Sequence, residues 1–296
     1  MIRFEKLTLA QAPLLKCYFL EDKSRLCDRS LGGVLMWRGS FQTEFAYEEE
    51  ILYFRSKIGA DCWCYTVPMG NVEKGVKRLS DHCKETGEVL RFCSVGEEEK
   101  DVLLSLLTEH TAVATRDWFD YLYLAEKLAT FSGKKLSGQR NHKNFFLKTH
   151  TDWSFEPLGE KNLPEIKEFL KFYYDSVQKD SSYFNDEIKA IEEVLSNLSV
   201  YGFCGGLIRC EGKICAFSLG EVIGDTLFVH IEKADRDLRG AYQMMVSEFV
   251  SFYGKEPVVY VNREEDVGDP GLRYSKTSYH PIRLLEKYVV EPKEVK

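Results

Sequence analysis

Hydrophobic and polar positions in the first half of the chain predict strands that come before and between helices. Apolar runs at 51–56, 62–67 and 89–95 indicate strands that are bounded by turn residues. Residues 72–83 and 97–110 instead repeat their apolar side chains at helical spacing. This half is therefore expected to be a mixed α and β domain.

The second half begins with two helices and then turns to strands. Apolar side chains at helical spacing predict helices over 166–177 and 188–198. The pair Glu211-Gly212 between two apolar runs is a strong hairpin signal, and 282–290 is expected to be the last strand.

One stretch of the second half organises the rest, because it places polar loops at the ends of two strands. The apolar runs 227–231 and 258–261 predict strands, with a helix between them that begins after Gly240. The loops 232–239 and 262–273 follow these strands and are rich in charged residues. Strand, polar loop, helix, strand and polar loop is an order that places a ligand beyond the strand ends.

Length and composition are those of a globular protein with two domains. The 296 residues suffice for two cores, and 44% hydrophobic with 29% charged residues is ordinary for a folded chain. The pattern changes near residue 150, so domains over 1–152 and 153–296 are expected. A net charge of −7 excludes a surface that is basic throughout, and DNA is not expected as a partner.

The N-terminus and the cysteines indicate the compartment. The first residues lack a secretory pattern, and no apolar run is long enough to cross a bilayer. Nine cysteines, an odd number, favour reduced thiols in a cytoplasmic protein without an integral membrane segment. No pair of CxxC motifs is present, so a metal site is not expected.

The segment 134–148 concentrates positive charge. Lys134, Lys135, Arg140 and Lys148 all lie within it. One interpretation is a solvated helix face, and the other is a ridge that faces phosphate or RNA. Composition favours the solvated face.

Several blocks of sequence carry a resemblance to a known family. They are RNHKNFF, HIEKADRDLRGAYQMMVSEF and NREEDVGDPGLRYSKTSYHPIRLLEKY, together with LMWRGSFQTEFA near residue 35. Over nearly its whole length the chain resembles the bacterial DUF2156 family, which is related to the C-terminal domain of phosphatidylglycerol lysyltransferase. The resemblance implies an α+β protein of two GNAT-like (acyl-CoA N-acyltransferase) domains in tandem, each a mixed sheet flanked by helices, with a transferase site.

Acyl or aminoacyl transfer needs an anion cradle for the carrier, which is coenzyme A or a tRNA end. The loop before Gly240 is a loose version of the GNAT pyrophosphate loop, with Asp237 where Gln or Arg is usual. The expected carrier-binding residues surround this helix start: Lys233, Arg236, Arg239, Gly240 and Ala241. Acyl-CoA is the expected cofactor, with aminoacyl-tRNA as the alternative donor.

The transfer also needs a base for the nucleophile's proton and a donor for the developing oxyanion. The expected catalytic residues are Glu232 and Asp235 as bases, with Tyr279 and His280 as donors. Asp266 or Asp269 could hold the α-ammonium of an aminoacyl group. The expected substrate-binding residues are polar side chains of the second loop and the basic segment: Arg140, Asn262, Glu264, Asp266, Arg273 and Lys276.

Structural alternatives exist for each assignment. Gly240 could only relieve crowding, Glu232 and Lys233 could form an ion pair at a rim, and His280 could only cap the last strand. The expected function is a cytoplasmic acyl- or aminoacyl-transferase that acts on a small amine or hydroxyl acceptor. The rival hypothesis is a non-catalytic protein that binds or senses a CoA-like small molecule. The oligomeric state stays open.

Overall fold

A computed structural model describes residues 1–20, 22–58, 62–177 and 182–293. Strands and helices are interspersed along this part of the chain, and the strands form two seven-stranded mixed sheets. The α+β class that the sequence predicts is confirmed.

The chain packs as two compact units whose limits differ from the expected boundary at 152/153. One unit comprises Met1–Phe119 with Leu285–Lys296, and the other comprises Asp120–Leu284. Residues 120–152 lie in the second unit because their strand pairs into its sheet, whereas the last strand of the chain pairs into the first sheet. These pairings join distant parts of the sequence, so composition near residue 152 did not reveal them.

The first unit is built on a sheet with the strand order β1-β2-β3-β4-β5-β14-β6. Its strands are β1 (Glu5–Lys6), β2 (Glu44–Glu48), β3 (Ile51–Lys57), β4 (Trp63–Tyr65), β5 (Phe92–Val95), β6 (His110–Ala114) and β14 (Tyr288–Pro292). Its helices are α1 (Ala12–Leu20), α2 (Leu31–Trp37), α3 (Val72–Thr86) and α4 (Glu97–Leu106).

Helix α3 shows how local sequence sets an element of this unit. The Asn71 side chain accepts a hydrogen bond from the Lys74 N–H at 3.0 Å and caps the helix start. Gly87 ends the helix in the left-handed conformation, with φ 75°. Val76 and Leu79 lie one turn apart on the buried face and join the core.

The second unit is built on a sheet with the strand order β13-β7-β12-β11-β10-β9-β8. Its strands are β7 (Asp120–Leu124), β8 (Trp153–Pro157), β9 (Cys204–Cys210), β10 (Lys213–Ile223), β11 (Thr226–Ala234), β12 (Tyr260–Asn262) and β13 (Arg283–Leu285). Its helices are α5 (Ala125–Thr130), α6 (Ser137–Thr149), α7 (Leu163–Val177), α8 (Ser182–Ser196), α9 (Leu198–Tyr201), α10 (Ala241–Tyr253) and α11 (Pro270–Ser278).

Two strand predictions for the second half have different outcomes. The hairpin at Glu211 and Gly212 is confirmed, because both residues have positive φ and join β9 to β10. The single strand expected over 282–290 is wrong. That segment contains β13 and the start of β14, which belong to different sheets.

Strands β11 and β12 are parallel neighbours whose pairing ends after three residue pairs. Their partners are Thr226 with Tyr260, Leu227 with Val261, and Phe228 with Asn262. Strand β12 ends there, whereas residues 229–234 of β11 extend beyond the last pair. After Asn262 the chain stays hydrogen-bonded to Tyr121 of β7, through the Arg263 N–H and the Glu264 carbonyl, while its pairing with β11 has ended. The candidate site lies at this opening between β11 and β12.

Candidate functional site

A buried ion pair lies beyond the last pairing of β11 and β12. Arg263 Nη2 donates to Glu232 Oε1 at 2.8 Å, and the two side chains are only 9% and 12% exposed. Burial raises the pKa of the Glu232 carboxyl, and the nearby Arg263 charge opposes that rise. A buried carboxylate with a raised pKa is suited to accept a proton from a nucleophile.

Arg263 connects this carboxylate to an aromatic wall. Its guanidinium lies 4.5 Å from the centroid of the Tyr279 ring. Burial raises the pKa of the Tyr279 hydroxyl, so that group stays protonated. Arg263 Nη1 is buried and has no hydrogen-bond partner among the described residues. A buried donor without a partner is costly, so this atom is poised to bind an acceptor oxygen.

A histidine on the same strand lies between two carboxylates. His230 Nδ1 is 2.7 Å from Glu264 Oε1, and His230 Nε2 is 3.0 Å from Glu221 Oε1. The ring stacks on Phe203 at 4.9 Å. Burial alone would lower the pKa of His230, but hydrogen bonds to the two carboxylates outweigh it and raise the pKa to about 9. The imidazolium therefore anchors Glu264, whose φ is 56°.

The loop that carries Arg263 is held by a partly buried lysine. Lys276 Nζ donates to the backbone oxygen of Arg263 at 2.6 Å and to that of Glu265. Burial lowers the pKa of Lys276. Tyr123 Oη donates in turn to the Lys276 carbonyl at 2.7 Å. Lys276 thus fixes the backbone at the site.

Asn262, at the end of β12, serves the backbone rather than an open cleft. Its Nδ2 donates to Asp120 Oδ2 at 2.9 Å, and its Oδ1 accepts from the Glu264 N–H at 2.6 Å. The bond from the Glu264 N–H closes a turn over residues 262–264, and the bond to Asp120 fixes the Asn262 side chain.

The two aspartates considered for an α-ammonium already have protein partners. Asp266 accepts from Tyr121 Oη at 2.6 Å and from Arg273 at 2.7 and 3.0 Å. Burial would raise the pKa of Asp266, but these hydrogen bonds hold it well below its usual range. Asp269 is the N-cap of α11, where it accepts from the Leu272 N–H.

The loop between β11 and α10 has another character. Arg236 and Arg239 are exposed, and their guanidinium groups lie over the Tyr173 ring at 5.7 Å and the Phe145 ring at 4.5 Å. The Asp235 carboxylate accepts from the Asp237 N–H at 2.9 Å and so closes a turn.

The expected alternative of a Glu232–Lys233 ion pair is wrong. Lys233 pairs instead with Glu187 at 2.8 Å, while Glu232 pairs with Arg263.

Gly240 is required by the packing of α10 on α6. Its φ is 94°, and a Cβ there would lie 2.3 Å from the His142 carbonyl oxygen and 2.9 Å from the Phe146 Cβ. Ala241, the first residue of α10, is buried behind it. Only glycine fits this close approach.

Arg140 and His280 lie outside the buried cluster. Arg140 donates to the backbone oxygens of Phe131 and Gly133 and so holds the turn before α6. His280 is exposed, with φ 52°, and its N–H donates to the Thr277 carbonyl at 2.9 Å.

The structure thus brings four predicted residues into one cluster and adds three that sequence reasoning missed. The predicted members are Glu232, Glu264, Lys276 and Tyr279; the additional ones are Glu221, His230 and Arg263. The i and i+2 spacing of His230 and Glu232 gave no usable signal, because β11 has a bulge at His230 and its pairing with β10 shifts there from Gly220 with Val229 to Leu219 with Ile231.

Comparison with known proteins first defines the class. A tandem GNAT protein from the clavulanic acid biosynthesis pathway matches with a TM-score of 0.50 and 8% identity, over 100% of both chains. The fold of two GNAT-like domains in tandem is thereby confirmed.

The chain belongs to the family described as phosphatidylglycerol lysyltransferase, C-terminal, whose profile matches residues 23–291. A conserved protein of unknown function from Bacteroides thetaiotaomicron is 31% identical, with a TM-score of 0.92 over 99% of this chain and 100% of that one. The C-terminal DUF2156 domain of a proposed lysylphosphatidylglycerol synthetase from Agrobacterium fabrum is 15% identical, with a TM-score of 0.69 over 97% and 93%.

An uncharacterized protein of Mycoplasmoides gallisepticum is 26% identical over 175 residues. The match spans 58% of this chain and 56% of that relative's length. Among the described residues, none of the helices combines the length and apolar character needed to cross a membrane.

Proposed function

We propose that this protein is an aminoacyl- or acyltransferase in which Glu232 accepts the proton of the acceptor's amine or hydroxyl group. The observation that carries the proposal is the burial of Glu232, with a raised pKa, against Arg263 at the opening between β11 and β12. Membership of the phosphatidylglycerol lysyltransferase C-terminal family supports a transfer reaction.

The proposed reaction joins an acceptor nitrogen or oxygen to the acyl carbon of the donor. As the new bond forms, the acceptor's proton passes to the Glu232 carboxylate and the acyl oxygen becomes negative. Arg263 Nη1, which has no protein partner in the described residues, would donate to that oxygen. The ester or thioester bond then breaks, and the leaving oxygen or sulfur takes the proton from Glu232.

The donor is proposed to be an aminoacyl-tRNA, with acyl-CoA as the second candidate. The family favours the aminoacyl donor, and the tandem GNAT neighbour favours coenzyme A. In either case the exposed Arg236 and Arg239 would contact the anionic carrier near the start of α10. The acceptor is proposed to be a small cytoplasmic amine or alcohol.

Donor binding at two salt concentrations tests this assignment. Labelled aminoacyl-tRNA is titrated by anisotropy and acetyl-CoA by calorimetry, at about 50 and 200 mM salt. Binding of tRNA should weaken by orders of magnitude over this range, whereas coenzyme A binding should change little. Arg239→Ala should weaken binding of the true donor. Lys255 is an exposed lysine beyond α10, and Lys255→Ala should leave that binding unchanged.

Two outcomes would overturn the proposal. One is a folded protein that binds neither donor. The other is a protein that binds a donor but transfers no acyl group to any amine or alcohol in a cell extract, which would establish the non-catalytic alternative.

A further inference from the structure

A cavity of about 720 Å³ lies within the second unit, apart from the carboxylate of Glu232. It is lined by the end of β7, by α5, by the turn before α6, and by the chain from α11 to β13, and it is open to solvent on one side. Its size lies within the range of about 300–1,000 Å³ that is usual for sites that hold small organic molecules.

The cavity lining carries positive charge although the protein has a net charge of −7. Lys127 pairs with Glu126 at 3.3 Å, so the net positive charge comes from Lys134 and Lys135. Lys127, Lys134 and Lys135 line it, and no Asp or Glu occurs among its lining residues in the described chain. Lys134 and Lys135 are exposed, so their ammonium groups are accessible. A concave surface with charge of one sign concentrates counter-ions of the opposite sign.

Other lining residues of the cavity are apolar. Leu128 and Leu136 line it and are buried core residues, and Ile282 lines it with half of its surface exposed. Apolar walls with a few convergent charges are the usual makeup of a small-molecule site. A ligand that fits would combine an apolar or aromatic body with an anionic group.

The wall that carries the lysines is preformed. Arg140 fixes the backbone oxygens of Phe131 and Gly133, and Phe131 is buried in the core although its φ is 48°. Lys134 and Lys135 follow directly. A turn that is held in place before binding loses less entropy when a ligand arrives.

We propose that this cavity is a second binding site, for a small soluble organic anion with a carboxylate or phosphate group on an apolar or aromatic body. Tyr279 lines the cavity and also lies against Arg263. A ligand in the cavity therefore contacts the same aromatic ring that packs on the Glu232–Arg263 pair.

Calorimetric titration of the whole protein with 4-phenylbutyrate and phenyl phosphate tests the proposal. Two controls each carry one half of such a ligand. Inorganic phosphate has the anionic group without the apolar body, and neutral 4-phenylbutan-1-ol has the apolar body without the charge. At least one of the two complete anions should bind with a stoichiometry of one, and the alcohol and phosphate should bind more weakly by about tenfold or more. The carboxylate and phosphate probes tell which anionic group is preferred.

Matched variants locate the binding. Lys134→Glu with Lys135→Glu should weaken it by about tenfold or more, and Ile282→Asp should also weaken it. Lys148→Glu with Lys255→Glu changes the net charge equally at exposed positions outside the cavity and should leave affinity within about twofold. Circular dichroism checks that each variant is folded.

Three outcomes would overturn the proposal. They are the absence of saturable binding, an equal loss of affinity for the anion in both charge variants, and an equal affinity for the neutral alcohol. A fourth is binding to vesicles of anionic lipid, through Lys134 and Lys135, without binding of either soluble anion. The Glu232→Gln variant should still bind the anion, so failure of the proposed transferase reaction leaves this result interpretable.

Discussion

Two charged regions at the end of β11 differ in how far they are exposed to solvent. Glu232, near the end of β11, is buried against Arg263, and the pKa of the Glu232 carboxyl is raised. A few residues later, Arg236 and Arg239 are exposed and lie over aromatic rings. In sequence the two regions form one polar loop. Burial alone separates a group whose protonation is tuned from groups that could contact a carrier's charge.

The largest expected effect comes from breaking the buried pair. Arg263→Ala leaves Glu232 buried without its counter-charge, so the free energy of unfolding should fall by about 3–5 kcal/mol. Urea denaturation measures the change. Arg239→Ala, in the exposed region, should cost less than about 0.5 kcal/mol. Equal costs for the two variants would abolish the contrast between the regions.

A smaller effect is expected where the exposed loop meets the core. Gly240→Ala should reduce the free energy of unfolding by about 2–4 kcal/mol, because it adds backbone strain and a clash with the His142 carbonyl. Gly224→Ala is the matched control, since Gly224 has φ 56° and open space around it. That variant should cost only about 1 kcal/mol. Thermal unfolding of both variants distinguishes packing from strain.

The buried region should also show a pH dependence. The folded-state pKa of His230, about 9, exceeds the usual value of 6.5. The proton therefore binds the folded state more tightly. This stabilisation is fully present below about pH 6.5 and is lost as pH rises through 9, by about 3–4 kcal/mol.

The Glu221→Gln variant sharpens that prediction. With one carboxylate removed, the His230 pKa should fall, so the loss with rising pH should be smaller and complete at lower pH. Denaturant unfolding at several pH values from 6 to 10 gives both profiles. Superimposable profiles would show that the Glu221 contact does not hold the proton.

The smallest effect concerns the second loop, where the Asp269 side chain caps the start of α11. Asp269→Ala should cost about 1 kcal/mol because α11 loses its N-cap. Asp269→Asn keeps an acceptor oxygen, so it should reduce the free energy of unfolding by only about 0.3 kcal/mol. If Asp269→Ala instead abolished donor binding without a loss of stability, the aspartate would belong to the site.

Local signals explain which parts of the fold were predictable. The hairpin at Glu211-Gly212 and the start of α3 depend on turn and cap residues that are visible in sequence. The pairing of β12 with β7 depends on residues far apart in the chain, and nothing local indicates it. The segment 282–290 misleads because its apolar pattern continues where the chain leaves one sheet for the other.

The candidate site was predictable in part for a similar reason. Glu232 stood out as a carboxylate at the end of a buried strand. Arg263 did not stand out, because its importance depends on a three-dimensional contact across the opening between the strands. Gly240 attracted attention as a flexible residue at a helix start, whereas its main constraint is the backbone of α6.

Discharge of a labelled donor tests the central claim most directly. Labelled aminoacyl-tRNA and acyl-CoA are incubated separately with the protein and a cell extract that supplies acceptors. The wild-type protein should transfer the label from one donor, and Glu232→Gln should be slower by about 10²–10⁴-fold while it still binds that donor. Transfer at the wild-type rate by a folded Glu232→Gln variant would contradict the assignment of Glu232 as the base.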